Sequence, residues 1–127
     1  MLQRTAPDVV TLPGATAHYQ VPDLKTVDLS WAGRLGVDHA SLASITAAKV
    51  GDPIRLARDG TTWVFHDKNG VVLGRMAKSW SPPDGLGFLR GEVGAIVRWR
   101  KSDSKEEFRD YLRRDEWEAV IPELVFA

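Results

Sequence analysis

Hydrophobic and polar positions alternate with a period of two along much of this chain, and that alternation predicts strands. After Pro53, Ile54 and Leu56 fall on one side and Arg55 on the other, until Asp59-Gly60 supplies a turn. In "TTWVFHDKNGVVLG", β-favouring residues flank Asp67-Lys68-Asn69-Gly70, where Asn and Gly tolerate the positive φ of a tight hairpin. Trp63 and Phe65 then share one face. "GEVGAIVRWRK" sets Val93, Ala95, Val97 and Trp99 against Gly94, Ile96, Arg98 and Arg100, which describes a long strand with one buried side. Gly91 and Gly94 mark a bend or bulge in it. "EWEAVIPELVF" alternates through Trp117, Ala119 and Ile121, breaks at Pro122 and resumes from Leu124 to Phe126 as an edge strand.

Two stretches change period. In "VDHASLASITAAKVGD", Asp38 suits an N-cap, Leu42, Ile45 and Ala48 follow at helical spacing, and Gly51 is placed to end a helix near 38–49. "SDSKEEFRDYLRR" has Ser104 and Glu107 at capping-box spacing and an apolar stripe of Phe108, Tyr111 and Leu112, predicting a helix near 104–114. Met76 to Trp80 fits one helical turn stopped by Pro82-Pro83. Residues 1–36 hold Pro7, Pro13, Gly14 and Pro22 with no sustained period, so an extended or disordered lead-in is expected there. Residues 37–127 form the single domain. The fold class expected is mainly β with two short helices: a small, partly open barrel of the OB or SH3-like kind.

Composition narrows the function. A chain of 127 residues with 43% hydrophobic and 27% charged residues can bury one real core. No apolar run approaches the roughly 20 residues that cross a bilayer, and the N-terminus has no apolar h-region, so a cytoplasmic protein without a membrane partner is expected. Zero cysteines remove disulfides, thiolate zinc sites and cysteine nucleophiles together. The formal charge is zero, but its distribution is uneven. Residues 49–101 carry ten basic and five acidic side chains, and residues 102–127 carry four and eight, so a local field survives the neutral total.

Catalytic patterns are not evident. His18, His39 and His66 are far apart and form no ligand pair, so no metal is expected. The glycines of "GDPIRLARDG" and "PPDGLGFLRG" match neither a phosphate-binding loop nor a dinucleotide fingerprint. The carboxylates of residues 106–118 read as a solvated face. The chain is expected to be no enzyme and to need no cofactor.

What stands out is a set of cations interleaved with aromatics: Arg55, Arg58, Lys68, Arg75, Lys78, Arg90, Arg98, Arg100 and Lys101, with Trp63, Trp80 and Trp99 among them. Bases stack on aromatic faces and guanidinium groups hold phosphates, so single-stranded nucleic acid needs both kinds on one surface. Trp63 and Trp99 fall on the apolar faces of their strands, which leaves Trp80 as the exposed candidate. Arg98 and Arg100 share the outward side of theirs.

The order "VGDPIRLARDG", "WVFHDKNGVVLGRMAKSW", "GEVGAIVRW" and "WEAVIPELVF" resembles the succession of elements in HIRAN domains, over about residues 49–126. The same phrases look like the C-terminal accessory region of some bacterial RecQ-family ATP-dependent DNA helicases. The resemblance implies an OB-like barrel that binds single-stranded or junction DNA beside a motor domain of the same parent chain. It also implies that Gly74, Arg75 and Lys78 border the groove, with Arg55 and Arg58 on the neighbouring strand. Asp59-Gly60-Thr61-Thr62 replaces the polar Asn-Pro-Tyr-Asp-like segment of that family, and Arg75 stands where an aromatic is common. General backbone binding is therefore what carries over. The binding set comprises Arg55, Arg58, Arg75, Lys78, Trp80, Arg98 and Arg100. The alternative is a protein-interaction module that docks through an exposed edge at Val120 to Phe126 or through the acidic helix.

Overall fold

Short polar turns divide the middle of the chain into a three-stranded meander. Asp67 organises one of these turns: its Oδ1 accepts the Asn69 and Val71 N–H groups, its N–H donates to Val71 O at 2.9 Å, and its carbonyl accepts from Gly70 at 3.0 Å. Gly70 takes φ +80° there, while Asn69 keeps a negative φ. In this computed structural model, which describes residues 9–12, 15–20 and 24–127, the strands are β1 (Val9–Leu12), β2 (Ala15–Gln20), β3 (Pro53–Asp59), β4 (Thr62–His66), β5 (Val72–Arg75), β6 (Phe88–Arg100) and β7 (Glu116–Phe126).

The strands form one antiparallel sheet in the order β1-β2-β7-β6-β3-β4-β5. The sheet curls without closing, as a partly open barrel. Phe65, Met76, Val93, Leu124 and Phe126 are fully buried inside the curl. Gly94 marks the bulge in β6, where the register passes from Val93↔Pro122 to Ala95↔Ile121. A Cβ at Gly94 would lie 2.5 Å from Glu123 Cγ, so only glycine lets that side chain cross the strand. Among the described residues no helix is long and apolar enough to cross a membrane.

Several elements differ from their sequence-based expectation. The helix α1 spans Ala40–Ala47, and its N-cap is His39 rather than Asp38, with Nδ1 accepting the Ser41 N–H at 3.1 Å. The helix expected near 104–114 is a 3-10 helix, Glu106–Tyr111, entered from Lys105. Of its intended stripe only Leu112 is buried; Phe108 and Tyr111 are 44% and 67% exposed, because the segment spans the end of the long β6–β7 hairpin where no layer covers it. The strand β7 is continuous: β6 pairs along the whole length and β2 along Leu124 to Phe126, so Leu124 to Phe126 is not an edge, while Val120 to Glu123 has β6 alone as its neighbour among the described residues. Among the described residues Pro122 lies beyond the β2 ladder, where β7 has one neighbour and a missing N–H is tolerated.

The span 1–36, expected as a lead-in, contains β1, β2 and a 3-10 turn, Ala32–Arg34; Pro7, Pro13, Gly14 and Pro22 lie outside the described residues. Residues 26–28 run beside the end of β5, and residues 29–35 pack against residues 113–117 at the start of β7. Val27 bridges to Met76, Asp28 N donates to Arg75 O and Ala77 N to Thr26 O, each at 2.8 Å. Val27, Leu29 and Ala32 enter the core, and the Trp117 indole N–H donates to Leu29 O at 2.7 Å. Arg114 clamps the same segment through Ala32 O and Leu35 O at 2.6 and 3.0 Å.

Candidate nucleic-acid interface

The β3–β4 hairpin is closed by Gly60 and Thr61, so its register places Arg58 opposite Trp63. Residues directly opposite on antiparallel strands share a face. The Arg58 guanidinium accordingly sits over the Trp63 ring, 5.2 Å from the centroid, a cation-π contact at an exposed site. Met76 N donates to Trp63 O at 2.8 Å and ties the following turn to β4; Trp80 N then donates to Ala77 O at 3.0 Å. That turn holds Trp80 edge-on to Trp63, with centroids 6.4 Å apart at 88°. Trp80 in turn packs on Phe126 at 6.4 Å, and Phe126 on Phe88 at 6.0 Å. The open end of the barrel therefore carries an aromatic file that runs from the core to the surface and ends under a guanidinium.

Lys78 is exposed in the turn that carries Trp80. Among the described residues neither Lys78 nor Arg58 forms an ion pair. Two half-buried indoles flanked by two uncompensated cations are the elements of a stacking and phosphate-binding surface.

The other expected members lie elsewhere. Gly74 does not border a groove: it is buried beneath the Phe65 ring. Arg75 lies on the opposite face of the meander, paired with Val64, and its Nη2 binds Asp28 Oδ2 at 2.7 Å. Arg34 reaches the same oxygen at 2.6 Å. Burial pushes the Asp28 carboxyl up, but the hydrogen bonds and charges of Arg34 and Arg75 outweigh it and hold the group below its ordinary value. Arg55 is exposed on the face of β3 opposite to Arg58. It follows the last registered pair of β3 and β6, Ile54↔Gly91, as does exposed Arg90 on the other strand.

Arg98 and Arg100 lie at the far end of β6. From the Ile54↔Gly91 pair, Arg58 is four residues one way and Arg98 seven the other. That separation amounts to roughly 36 Å of strand path. Each is also matched by a carboxylate, Arg98 with Glu116 at 3.3 Å and Arg100 with Asp103 at 3.2 Å. The fold thus gathers Arg58, Lys78 and Trp80 from the expected set and leaves Arg55, Arg75, Arg98 and Arg100 outside.

No family model, curated protein or solved structure matches the chain. What the surface can do follows from its chemistry. Trp63 belongs to it although its alternation marks it as core; the signal that reveals it is the two-residue loop, which fixes a cation opposite an indole before any tertiary contact is known.

Proposed function

We propose that the open end of the barrel binds single-stranded nucleic acid, DNA in the first instance, as a non-catalytic module. A base stacks on Trp80 and the adjoining phosphates meet Arg58 and Lys78. The observation that carries this reading is the Arg58, Trp63 and Trp80 file with Lys78 beside it: aromatic area at the surface next to cations that no carboxylate among the described residues neutralises. Arg75, Arg98 and Arg100 are engaged by carboxylates and take no part.

Fluorescence anisotropy with a labelled oligothymidine at several salt concentrations tests it. Two phosphate contacts give a slope of log affinity against log salt of about −1.4. The double variant Arg58→Ala with Lys78→Ala should lower the affinity and bring that slope close to zero. Trp80→Ala should weaken binding by about 5- to 150-fold at every salt concentration, the loss of one stacked base. Arg98→Ala with Arg100→Ala should bind as the parent does. If this last pair abolishes binding while the first pair leaves it intact, the open end is not the site.

A further inference from the structure

On the face of the meander away from the aromatic file, an open cleft of about 480 Å³ separates β4 and β5 from residues 31–41. Val64 and Arg75 are a registered pair and share this face, and Val71 and Val72 extend the apolar floor. Trp31 forms one wall, with the His39 ring edge-on to it at 6.2 Å and 83°. The size, the apolar floor and the few polar groups are those of small-molecule sites.

The polar groups have specific capacities. Arg75 directs Nε and Nη2 to Asp28 Oδ2, at 3.2 and 2.7 Å, and its Nη1 has no partner among the described residues. Arg34 shares that carboxylate, and with Asp59 in the lining the two guanidinium groups and two carboxylates sum to zero, so the unpartnered Nη1 of Arg75, not a net charge, is what an anion would meet. His39 accepts the Ser41 N–H through Nδ1, which puts the proton of its neutral ring on Nε2 as a donor. Asp59, also in the lining, sets an upper limit on the negative charge that can enter.

We propose that this cleft binds a small organic monocarboxylate with a flat or branched apolar body: the carboxylate on Arg75, the body on Trp31 and the valines. The site is independent of the nucleic-acid surface, because Trp63 and Val64 project from opposite faces of β4.

The probes are benzoate, the neutral analogue benzyl alcohol and the dianion phenyl phosphate, followed by NMR of the amides and of the Trp31 indole N–H. Benzoate should produce saturable shifts at Trp31 and Ser41, and the other two should bind about tenfold more weakly or less. Arg75→Gln should lose benzoate binding by a similar factor. Val71→Phe leaves the Arg75 and Asp28 pair intact and fills the floor, so it should abolish the shifts in a protein that still unfolds cooperatively. Asp59→Asn should admit phenyl phosphate. Benzyl alcohol binding as well as benzoate, Val71→Phe binding benzoate as the parent does, or shifts that never saturate across the millimolar range would each overturn the assignment.

Discussion

Gly74→Ala adds one methyl group directly beneath a buried ring, and its effect can be worked from the contacts. The new Cβ would lie 2.3 Å from Phe65 Cζ, 2.8 Å from Cε2 and 3.0 Å from Cε1. Carbon atoms in contact sit about 3.5–4.0 Å apart, so the ring or the strand must move by more than about 1 Å. Phe65 is fully buried and Gly74 is paired with it in the β4–β5 ladder, so neither moves freely. Overpacking of this kind costs about 1–3 kcal/mol. Against it, alanine restricts the unfolded chain and recovers about 0.4–1 kcal/mol, since Gly74 does not need a positive φ. Placing the overpacking near the top of its range leaves a net loss of about 2 kcal/mol, which in a domain of this size lowers Tm by about 8 °C. Thermal and urea unfolding followed by circular dichroism measure it. Phe65→Leu removes the obstructing ring, so Gly74→Ala should be nearly neutral in that background, a coupling of about 2 kcal/mol. An equal loss in both backgrounds, or no loss in the parent, would refute the steric account. Oligonucleotide affinity well below Tm should not change, because this glycine serves packing.

Two further outcomes follow from polar contacts. Asp28→Asn should cost about 2 kcal/mol at neutral pH by removing charged hydrogen bonds to two partly exposed arginines. Because the folded-state value of Asp28 lies below the ordinary 3.8, its contribution is complete above that value and is lost as pH falls through the lower one. Stability curves of parent and variant should therefore converge in strong acid, and a gap that stays constant there would contradict the ion-pair reading. His39→Ala removes the acceptor for the Ser41 N–H and should cost about 1 kcal/mol, with faster amide exchange at Ser41; exchange unchanged at that amide would show that the cap does not hold the helix start.

Legibility followed the range of each interaction. The hairpin at Asp67 to Gly70 could be read because all of its hydrogen bonds lie within five residues. The Gly94 bulge was signalled by a glycine inside an alternating run. The stripe on residues 108–112 was misleading, since helical spacing states which side chains would share a face but not whether anything covers it. The central position of β7 was hidden because its second neighbour, β2, comes from a part of the chain with no sustained period.

The sequence by itself determined which strands alternate, where the tight turns fall and that cations are interleaved with tryptophans between residues 55 and 101, since backbone parity and turn chemistry act over a few residues. Only the tertiary structure decided which of those cations remain available. Asp28 stands 47 positions before Arg75 and binds it, whereas Arg58 meets an indole instead of a carboxylate. Coulomb and hydrogen-bond energies depend on separations of a few ångströms, and folding sets those separations between residues far apart in the chain.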